Sequence, residues 1–169
     1  WWTLDFKQKN DLTEKEAIQK YHDLLADSIE LQLMSDVEVG LALSGGIDSV
    51  AIAAFAAKHK PIKTFTVLSQ STYLTGDCES AFYAAKHLGL ENHQLYFPWQ
   101  KEILTADLFK EINWACEMPT NPEQVFKFLL YRKIRQDFPQ VKTILLGQGS
   151  DEFNGGYCHV YLQEQYPED

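Results

Sequence analysis

Apolar residues recur along this chain in two patterns: at helical spacing and in short continuous runs. Thr13-Glu14-Lys15-Glu16 fits a helix capping box, and the apolar positions that follow it predict a helix over about 14 to 34. Residues 37 to 43 form an apolar run with little alternation after Glu38. Such a run is typical of a strand that is buried on both faces of a parallel sheet.

The same two patterns continue to the end of the chain. Segments 69–77 and 116–122 are predicted to be loops, and 1–12 is predicted to be a strand or a docking segment. Strands and helices that alternate in this way predict an α/β fold with a doubly wound parallel sheet and helices on both faces. The remaining predicted helices span 48 to about 59, 78–88, 103–114 and 123–138, and the remaining strands span 63–67, 92–97 and 142–146.

Length, charge and cysteine content limit the class of protein. A chain of 169 residues is about one domain. The formal net charge of −9 argues against a nucleic-acid partner, and no apolar run is long enough to span a membrane. Cys78, Cys116 and Cys158 are widely spaced and lack zinc-ligand spacing, which indicates a reducing, cytoplasmic location. The chain starts at Trp1 without a charged leader, as expected of a processed chain or an excised piece.

The loop Ser44-Gly45-Gly46-Ile47-Asp48-Ser49 lies between the strand at 37–43 and a helix. Backbone N–H groups at such a junction, together with the helix dipole, favour a bound anion. The loop lacks the Lys-Ser/Thr ending of a Walker P-loop and the GxGxxG pattern of dinucleotide sites. Its hydroxyls can bond to oxyanions, and Asp48 can hold Mg²⁺ against phosphate. The residues leave open a plain turn in which Asp48 or Ser49 only caps the helix.

A second glycine-rich loop, Gly147-Gln148-Gly149-Ser150-Asp151-Glu152, follows the strand at 142–146. Ligands of a doubly wound sheet bind beyond the carboxyl ends of its strands, where both loops are predicted to lie. Asp48 and Asp151 can therefore share one metal-bound pyrophosphate. Considered alone, Asp151 fits a helix N-cap as well as it fits a metal ligand.

These loops resemble the signatures of a known family. SGGIDS resembles the pyrophosphate loop of the ATP-pyrophosphatase, or PP-loop, superfamily, and LGQGSDEFNGGY resembles the second signature of class B, glutamine-dependent asparagine synthetases. WWTLDF, SDVEVGLALSGGIDS, KTFTV and the helix after Asp77 resemble the synthetase domain of that family in the same order. The first loop also resembles NAD, GMP and argininosuccinate synthetases, from which the second loop separates it. The resemblance implies an adenine nucleotide alpha hydrolase-like fold.

The resemblance also implies that residues 1–169 are part of a synthetase domain that uses ATP and Mg²⁺. In this family the aspartate side-chain carboxylate attacks the α-phosphorus of ATP, which gives β-aspartyl-AMP and pyrophosphate. Ammonia from a glutaminase domain outside this chain then displaces AMP. The resemblance assigns Asp48 and Asp151 to the metal and to the reacting groups, beside Gln148. By position, the implied nucleotide-binding residues are Leu43, Ser44, Gly45, Gly46, Asp48, Ser49, Val67, Asp77 and Gly147.

Gln148 stands where asparagine synthetases commonly carry a glutamate. An amide cannot act as a general base, although it can orient a nucleophile by hydrogen bonds. The carboxylate substrate and the amine therefore stay open. The alternatives are a related adenylating enzyme, of the β-lactam synthetase or peptide-cyclising kind, and a nucleotide-binding module without catalysis. A homodimer is one assembly that the sequence leaves open.

Overall fold

The structure is a computed structural model that describes residues 11–97, 104–117, 119–154 and 156. Its strands form one four-stranded parallel sheet in the order β3-β2-β1-β4. The chain runs outward from β1 to β2 and β3 and then returns to the other side of β1, so the strand order reverses between β1 and β4. Ligands of doubly wound folds bind at such a reversal. The strands are β1 Glu38–Ala42, β2 Lys63–Leu68, β3 Asn92–Tyr96 and β4 Val141–Leu145.

Seven helices lie within the described residues, and local signals explain several of their ends. Thr13 and Glu16 form both hydrogen bonds of a capping box, and Asn121 forms a second box with Gln124. Gly89 has a φ of 67° and ends the fourth helix, in the left-handed conformation that glycine adopts without steric cost. The helices are α1 Glu14–Leu33, α2 Ile47–His59, α3 Gln70–Leu74, α4 Asp77–Leu88, α5 Ala106–Cys116, α6 Pro122–Asp137 and α7 Ser150–Asn154.

Helices cover both faces of the sheet, which confirms the predicted doubly wound α/β fold. On one face, α1, α2 and α4 pack against β1 through a core that includes Leu41, Ala53 and Ala85. The small alanine side chains let α2 and α4 approach the sheet closely. On the other face, Leu130 and Ile134 of α6 pack against the sheet, and α5 packs on α6.

Some predicted element bounds were wrong. Residues 69–77 were expected to be a loop but contain α3, because Ser69 and Thr72 exchange hydrogen bonds that form a helical turn. The fourth strand is 141–145 rather than 142–146, and α5 begins at Ala106 after the N-cap Thr105. The prediction for 1–12 falls almost wholly outside the described residues. Among the described helices, none is both long enough and apolar enough to cross a bilayer.

Candidate functional site

The two glycine-rich loops meet at the carboxyl ends of the adjacent strands β1 and β4. Leu41 and Leu145 are register partners near these ends, and each loop begins a few residues further on. The Ser150 hydroxyl donates a hydrogen bond of 2.7 Å to Asp48 Oδ1, across 102 positions of sequence. A Cβ atom on Gly147 would lie 3.1 Å from both Asp48 Cβ and the Ser49 backbone nitrogen. The second loop therefore packs tightly on the N-terminus of α2, and a side chain at 147 would push the two apart by a few tenths of an ångström.

Hydroxyl groups hold the first loop in shape. The Ser44 N–H donates to Ser49 Oγ at 3.2 Å, and Ser49 Oγ donates to the Gly46 carbonyl at 3.1 Å. Gly46 is the N-cap residue of α2, so the alternative in which Asp48 or Ser49 is the cap is wrong. Within the described chain, no side chain caps this helix. Its first-turn N–H groups can therefore donate to a bound ligand.

Gly45 joins the first loop to the start of α4. Its φ is 90°, and a Cβ atom at this position would lie 2.3 Å from the Asp77 carbonyl oxygen and 2.8 Å from the Ala81 nitrogen. Residues that carry a side chain rarely adopt this φ, and the neighbouring backbone fills the space that a side chain at 45 would need. Asp77 is thereby held beside the loop, where its carboxylate accepts a hydrogen bond of 2.7 Å from Thr75.

The second loop turns sharply into a short helix. Gly149 has a φ of 95°, and its carbonyl accepts a hydrogen bond from the Phe153 N–H. The helix α7 therefore begins at Ser150, and Asp151 lies inside its first turn, so the alternative of Asp151 as an N-cap is wrong. An ideal Cβ on Gly156 would lie only 2.0 Å from Asp151 Oδ1, which shows that a glycine at 156 makes room for this carboxylate.

Most of the predicted site residues line two neighbouring cavities. The larger has a volume of about 380 Å³ and the smaller about 140 Å³, and both are bordered by Ala42, Ser44 and Leu130. Gly45 lines neither, because it faces α4. Of the predicted residues, the larger cavity contains Ser44, Gly46, Asp48, Ser49, Gly147, Gln148 and Asp151, and the smaller contains Leu43, Ser44, Val67 and Asp77.

The larger cavity is also lined by two residues of α6, Lys127 and Tyr131, which the sequence analysis did not single out. Lys127 donates a hydrogen bond of 2.6 Å from Nζ to Gln148 Oε1, and Tyr131 lies one helical turn further on. Burial raises the pKa of Tyr131 above its ordinary value, so its phenol stays a neutral hydrogen-bond donor. Positions 127 and 131 share a helix face that borders the apolar stripe of α6, but nothing in the sequence says what that face meets.

The donor set suits a hard divalent cation. Asp48 and Asp151 line the same cavity and offer only oxygen ligands, as Mg²⁺ prefers. In the part of the chain that the structure describes, no three His, Cys, Asp or Glu side chains form a metal cluster. One or two carboxylates are nevertheless a common protein share of a Mg²⁺ site when substrate phosphates and water supply the other ligands. These residues therefore fit the predicted metal.

The sheet order and the two loops define a doubly wound α/β domain with its candidate site at the reversal of strand order. The family model described as asparagine synthase matches residues 20–168. Asparagine synthetase 2 (glutamine-hydrolyzing) of Bacillus subtilis is 50% identical over 161 residues, which cover 94% of this chain and 22% of that protein. Asparagine synthetase B of Escherichia coli is 30% identical over 168 residues, or 90% of this chain and 29% of that protein. The chain belongs to the asparagine synthase family.

The chain spans between about a fifth and a third of the length of these relatives. It is also similar to two solved structures. An NH3-dependent NAD synthetase from Campylobacter jejuni gives a TM-score of 0.48 at 18% identity, over 82% of this chain and 60% of that one. NMN synthetase from Francisella tularensis gives 0.47 at 20% identity, over 87% of this chain and 59% of that one.

Proposed function

We propose that this chain is the ATP-binding part of an asparagine synthetase, within a synthetase domain that extends beyond these residues. The side-chain carboxylate of the substrate aspartate attacks the α-phosphorus of ATP, the bond to the β-phosphate breaks, and pyrophosphate leaves. Ammonia then attacks the acyl carbon, loses a proton, and displaces AMP. The observation that carries the proposal is the contact of the two loops through Ser150 and Asp48. Family membership supports the choice of reaction.

The first loop would hold the pyrophosphate end of ATP. The N-terminus of α2 offers backbone N–H groups, and Gly46 at the cavity keeps a side chain away from the anion. The hydroxyl of Ser49 orders the loop, while Ser44 is exposed and faces the cavity. Oriented amides at a helix N-terminus are well suited to phosphate because they need little rearrangement as charge develops.

Asp48 and Asp151 would hold Mg²⁺ together with phosphate oxygens. When bound, the ion neutralises charge on the phosphates and on the leaving pyrophosphate. Ser150 orients the Asp48 carboxylate by donating a hydrogen bond to Oδ1, and Gly156 makes room for Asp151. Asp77 would lie at the edge of the same region, next to Ser44 in the smaller cavity. Leu43, Val67 and Gly147 would border the adenosine.

Ammonia would come from glutamine at a glutaminase domain outside these 169 residues. The relatives that cover the chain are named as glutamine-hydrolyzing, and the chain matches only a fraction of their length. Gln148 lies at the cavity and can orient the amine but cannot accept its proton. We expect no role for nucleic acid, in line with the charge of −9. A homodimer stays a prediction.

The experiment is a product assay on the intact protein with ATP, Mg²⁺, aspartate and ammonium chloride. We expect AMP, pyrophosphate and asparagine in equal amounts. Omitting ammonium should leave aspartate-dependent exchange between pyrophosphate and ATP, because the first half-reaction is reversible. Release of ADP and phosphate would contradict the proposal, since it would place the cleaved bond between the β- and γ-phosphates.

A second candidate keeps the adenylation and changes the carboxylate, as in β-lactam synthetase-like or peptide-cyclising relatives. The observation that favours it is the amide at 148, bound to Lys127. Exchange of pyrophosphate into ATP with a panel of carboxylic acids would distinguish the two, because exchange that depends on aspartate contradicts this candidate. Binding of ATP with neither exchange nor turnover would instead identify a nucleotide-binding module without catalysis.

A further inference from the structure

The smaller cavity lies where the strands β1 and β2 part. The Leu43 N–H donates to the Phe65 carbonyl at 2.8 Å, and beyond this bond β1 turns into the first loop while β2 runs on to Leu68. Alternate residues of a strand in a parallel sheet direct their backbone groups to the same neighbour. The Val67 carbonyl, two positions after Phe65, therefore points to the side that β1 has left. Val67 lines the cavity, so this carbonyl is a hydrogen-bond acceptor at its wall.

Thr72 of α3 holds the Val67 carbonyl in place. Its hydroxyl donates to this carbonyl at 2.9 Å, and the Ser69 carbonyl lies further from the same hydroxyl, at 3.2 Å. Thr72 Oγ1 also accepts a bond of 2.9 Å from the Ser69 N–H, and Ser69 Oγ accepts one of 3.2 Å from the Thr72 N–H. These bonds fix α3 to the end of β2. Because a carbonyl oxygen has two lone pairs, the Val67 carbonyl can accept a further hydrogen bond while Thr72 holds it.

The smaller cavity suits a flat heterocycle better than a phosphate group. Its volume of about 140 Å³ is below the roughly 300 Å³ at which pockets for whole ligands usually begin. It adjoins the larger cavity, so the two can hold opposite ends of one nucleotide. The lining is mostly apolar, and its apolar members are Ala42, Leu43, Phe65, Val67, Cys78 and Leu130. A base in this place needs a polar partner only along its substituted edge.

We propose that Thr72 is a positioning residue for the nucleotide, because its hydrogen bond holds the Val67 carbonyl where that carbonyl accepts from the exocyclic amino group of the base. The inference rests on the proposed function, in which Val67 borders the adenosine. Thr72 acts through Val67 and has no need to touch the nucleotide. Without the Thr72 hydroxyl, α3 loses its bond to the Val67 carbonyl, and the carbonyl is no longer held in one direction. A base without the amino group does not use this acceptor and gains nothing from Thr72.

The test compares Thr72→Val with a matched control on the neighbouring strand. Valine keeps the size and the branching of threonine and removes the hydroxyl. Thr64 lies on β2 outside the lining of the smaller cavity, and its hydroxyl donates to the Glu91 carbonyl at 3.0 Å, so Thr64→Val makes the same change elsewhere. Calorimetry on the intact protein with Mg²⁺ uses three probes: ATP, purine riboside triphosphate, which lacks the amino group, and pyrophosphate, which lacks the base. Circular dichroism checks that each variant is folded.

We expect Thr72→Val to weaken ATP binding by about 3- to 10-fold, which corresponds to the net value of one neutral hydrogen bond. Purine riboside triphosphate and pyrophosphate should bind within about twofold of the wild type. Thr72→Ser keeps the hydroxyl and should restore the affinity for ATP. Thr64→Val should keep the wild-type preference for ATP over purine riboside triphosphate. In turnover, Thr72→Val should raise the KM for ATP and leave kcat nearly unchanged.

An equal loss of ATP and purine riboside triphosphate binding in Thr72→Val would overturn the inference, because the effect would then be a general disturbance of the site. A loss of the ATP preference in Thr64→Val would do the same. A wild type that binds ATP and purine riboside triphosphate equally would overturn it whatever the variants do. A wild type that binds neither ATP nor pyrophosphate would overturn the proposed function as well. ATP binding that is unchanged in Thr72→Val overturns this inference alone, so the two failures are distinguishable.

Discussion

Ser150 and Asp48 are joined by a hydrogen bond of 2.7 Å, and this bond unites the two glycine-rich loops into one site. Asn154 Nδ2 donates to Ser150 Oγ at 3.1 Å and lies 3.0 Å from the hydroxyl of Tyr21, so the connection reaches α1. The carboxylate that is predicted to hold the metal is thus oriented by a residue of the other loop. Because the two strands are neighbours and parallel, the second loop can reach the first without distorting either.

Ser150→Ala should weaken binding of ATP and Mg²⁺ by about 10- to 100-fold, because it removes the hydrogen bond that the Ser150 hydroxyl donates to Asp48. A hydrogen bond to a charged acceptor is among the stronger ones. Calorimetry measures the change. Ser35→Ala is the control, since the Ser35 hydroxyl accepts its hydrogen bond from the nearby Val37 N–H on an exposed turn. Equal affinity in Ser150→Ala and the wild type would show that Asp48 does not need this orientation.

Asp48→Asn should abolish the part of ATP binding that depends on Mg²⁺, while the fold survives. The asparagine side chain has the same shape and can still accept the Ser150 hydrogen bond, but it carries no charge for the cation. Titrations with Mg²⁺ and with EDTA separate the two parts of the affinity. Asp36→Asn, on an exposed turn before β1, should behave as the wild type. A Mg²⁺ dependence that survives in Asp48→Asn would contradict the metal assignment.

Gly147→Ala should reduce nucleotide affinity more than it reduces stability. The new Cβ would lie 3.1 Å from Asp48 Cβ and the Ser49 nitrogen, so the second loop must shift away from α2. We expect an overpacking cost of about 1 to 3 kcal/mol in the free energy of unfolding and a larger loss of binding. Gly89→Ala is the control, because Gly89 caps α4 in open space and should lose stability without losing affinity.

Gly45→Ala should destabilise the protein more than Gly76→Ala does. Both glycines have positive φ, 90° and 81°, so both substitutions carry the cost of a left-handed alanine. Only at Gly45 does the new Cβ meet backbone, at 2.3 Å from the Asp77 oxygen, whereas Gly76 has open space. We expect Gly45→Ala to cost about 1 to 3 kcal/mol beyond Gly76→Ala. Urea unfolding measures both, and equal costs would contradict the contact with α4.

The raised pKa of Tyr131 should make stability fall at high pH. Above 10.0, the ordinary value, the phenol of the unfolded chain loses its proton while the buried phenol keeps it. The contribution is therefore fully present below 10.0 and is lost as pH rises through the higher pKa of the folded state. Urea unfolding from about pH 9 to about pH 11 should show a fall that is smaller in Tyr131→Phe. An equal fall in the free energy of unfolding in both proteins would contradict a raised pKa of Tyr131.

Local sequence signals determined the elements and the loops at their ends. Thr13 and Glu16 formed the capping box that their spacing predicts, and the apolar run before Ser44 formed a buried strand. A capping box depends on residues close in sequence, and a strand buried on both faces needs an unbroken apolar run, so a pattern of neighbours is enough to predict both. The resemblance of the two glycine-rich loops to a known family was likewise confirmed by the family match.

Local signals were less reliable at turns. The α3 helix in the predicted loop depends on reciprocal hydrogen bonds of Ser69 and Thr72, residues that fit a loop equally well. Asp48 and Ser49 both looked like helix caps, yet Gly46 takes that position and the Ser49 hydroxyl is used inside the loop. Several short polar residues in one turn can satisfy the same backbone groups, so composition does not decide between them.

Only the tertiary structure decided which side chains meet at the site. The strand order put β4 beside β1, and that order brings Ser150 to Asp48 and α6 with Lys127 to Gln148. The sequence alone predicted an anion-binding loop, and it established a second glycine-rich loop and the alternation that makes a parallel sheet. It could not place Lys127 beside Gln148, because the partners of a helix face depend on packing between elements far apart in the chain.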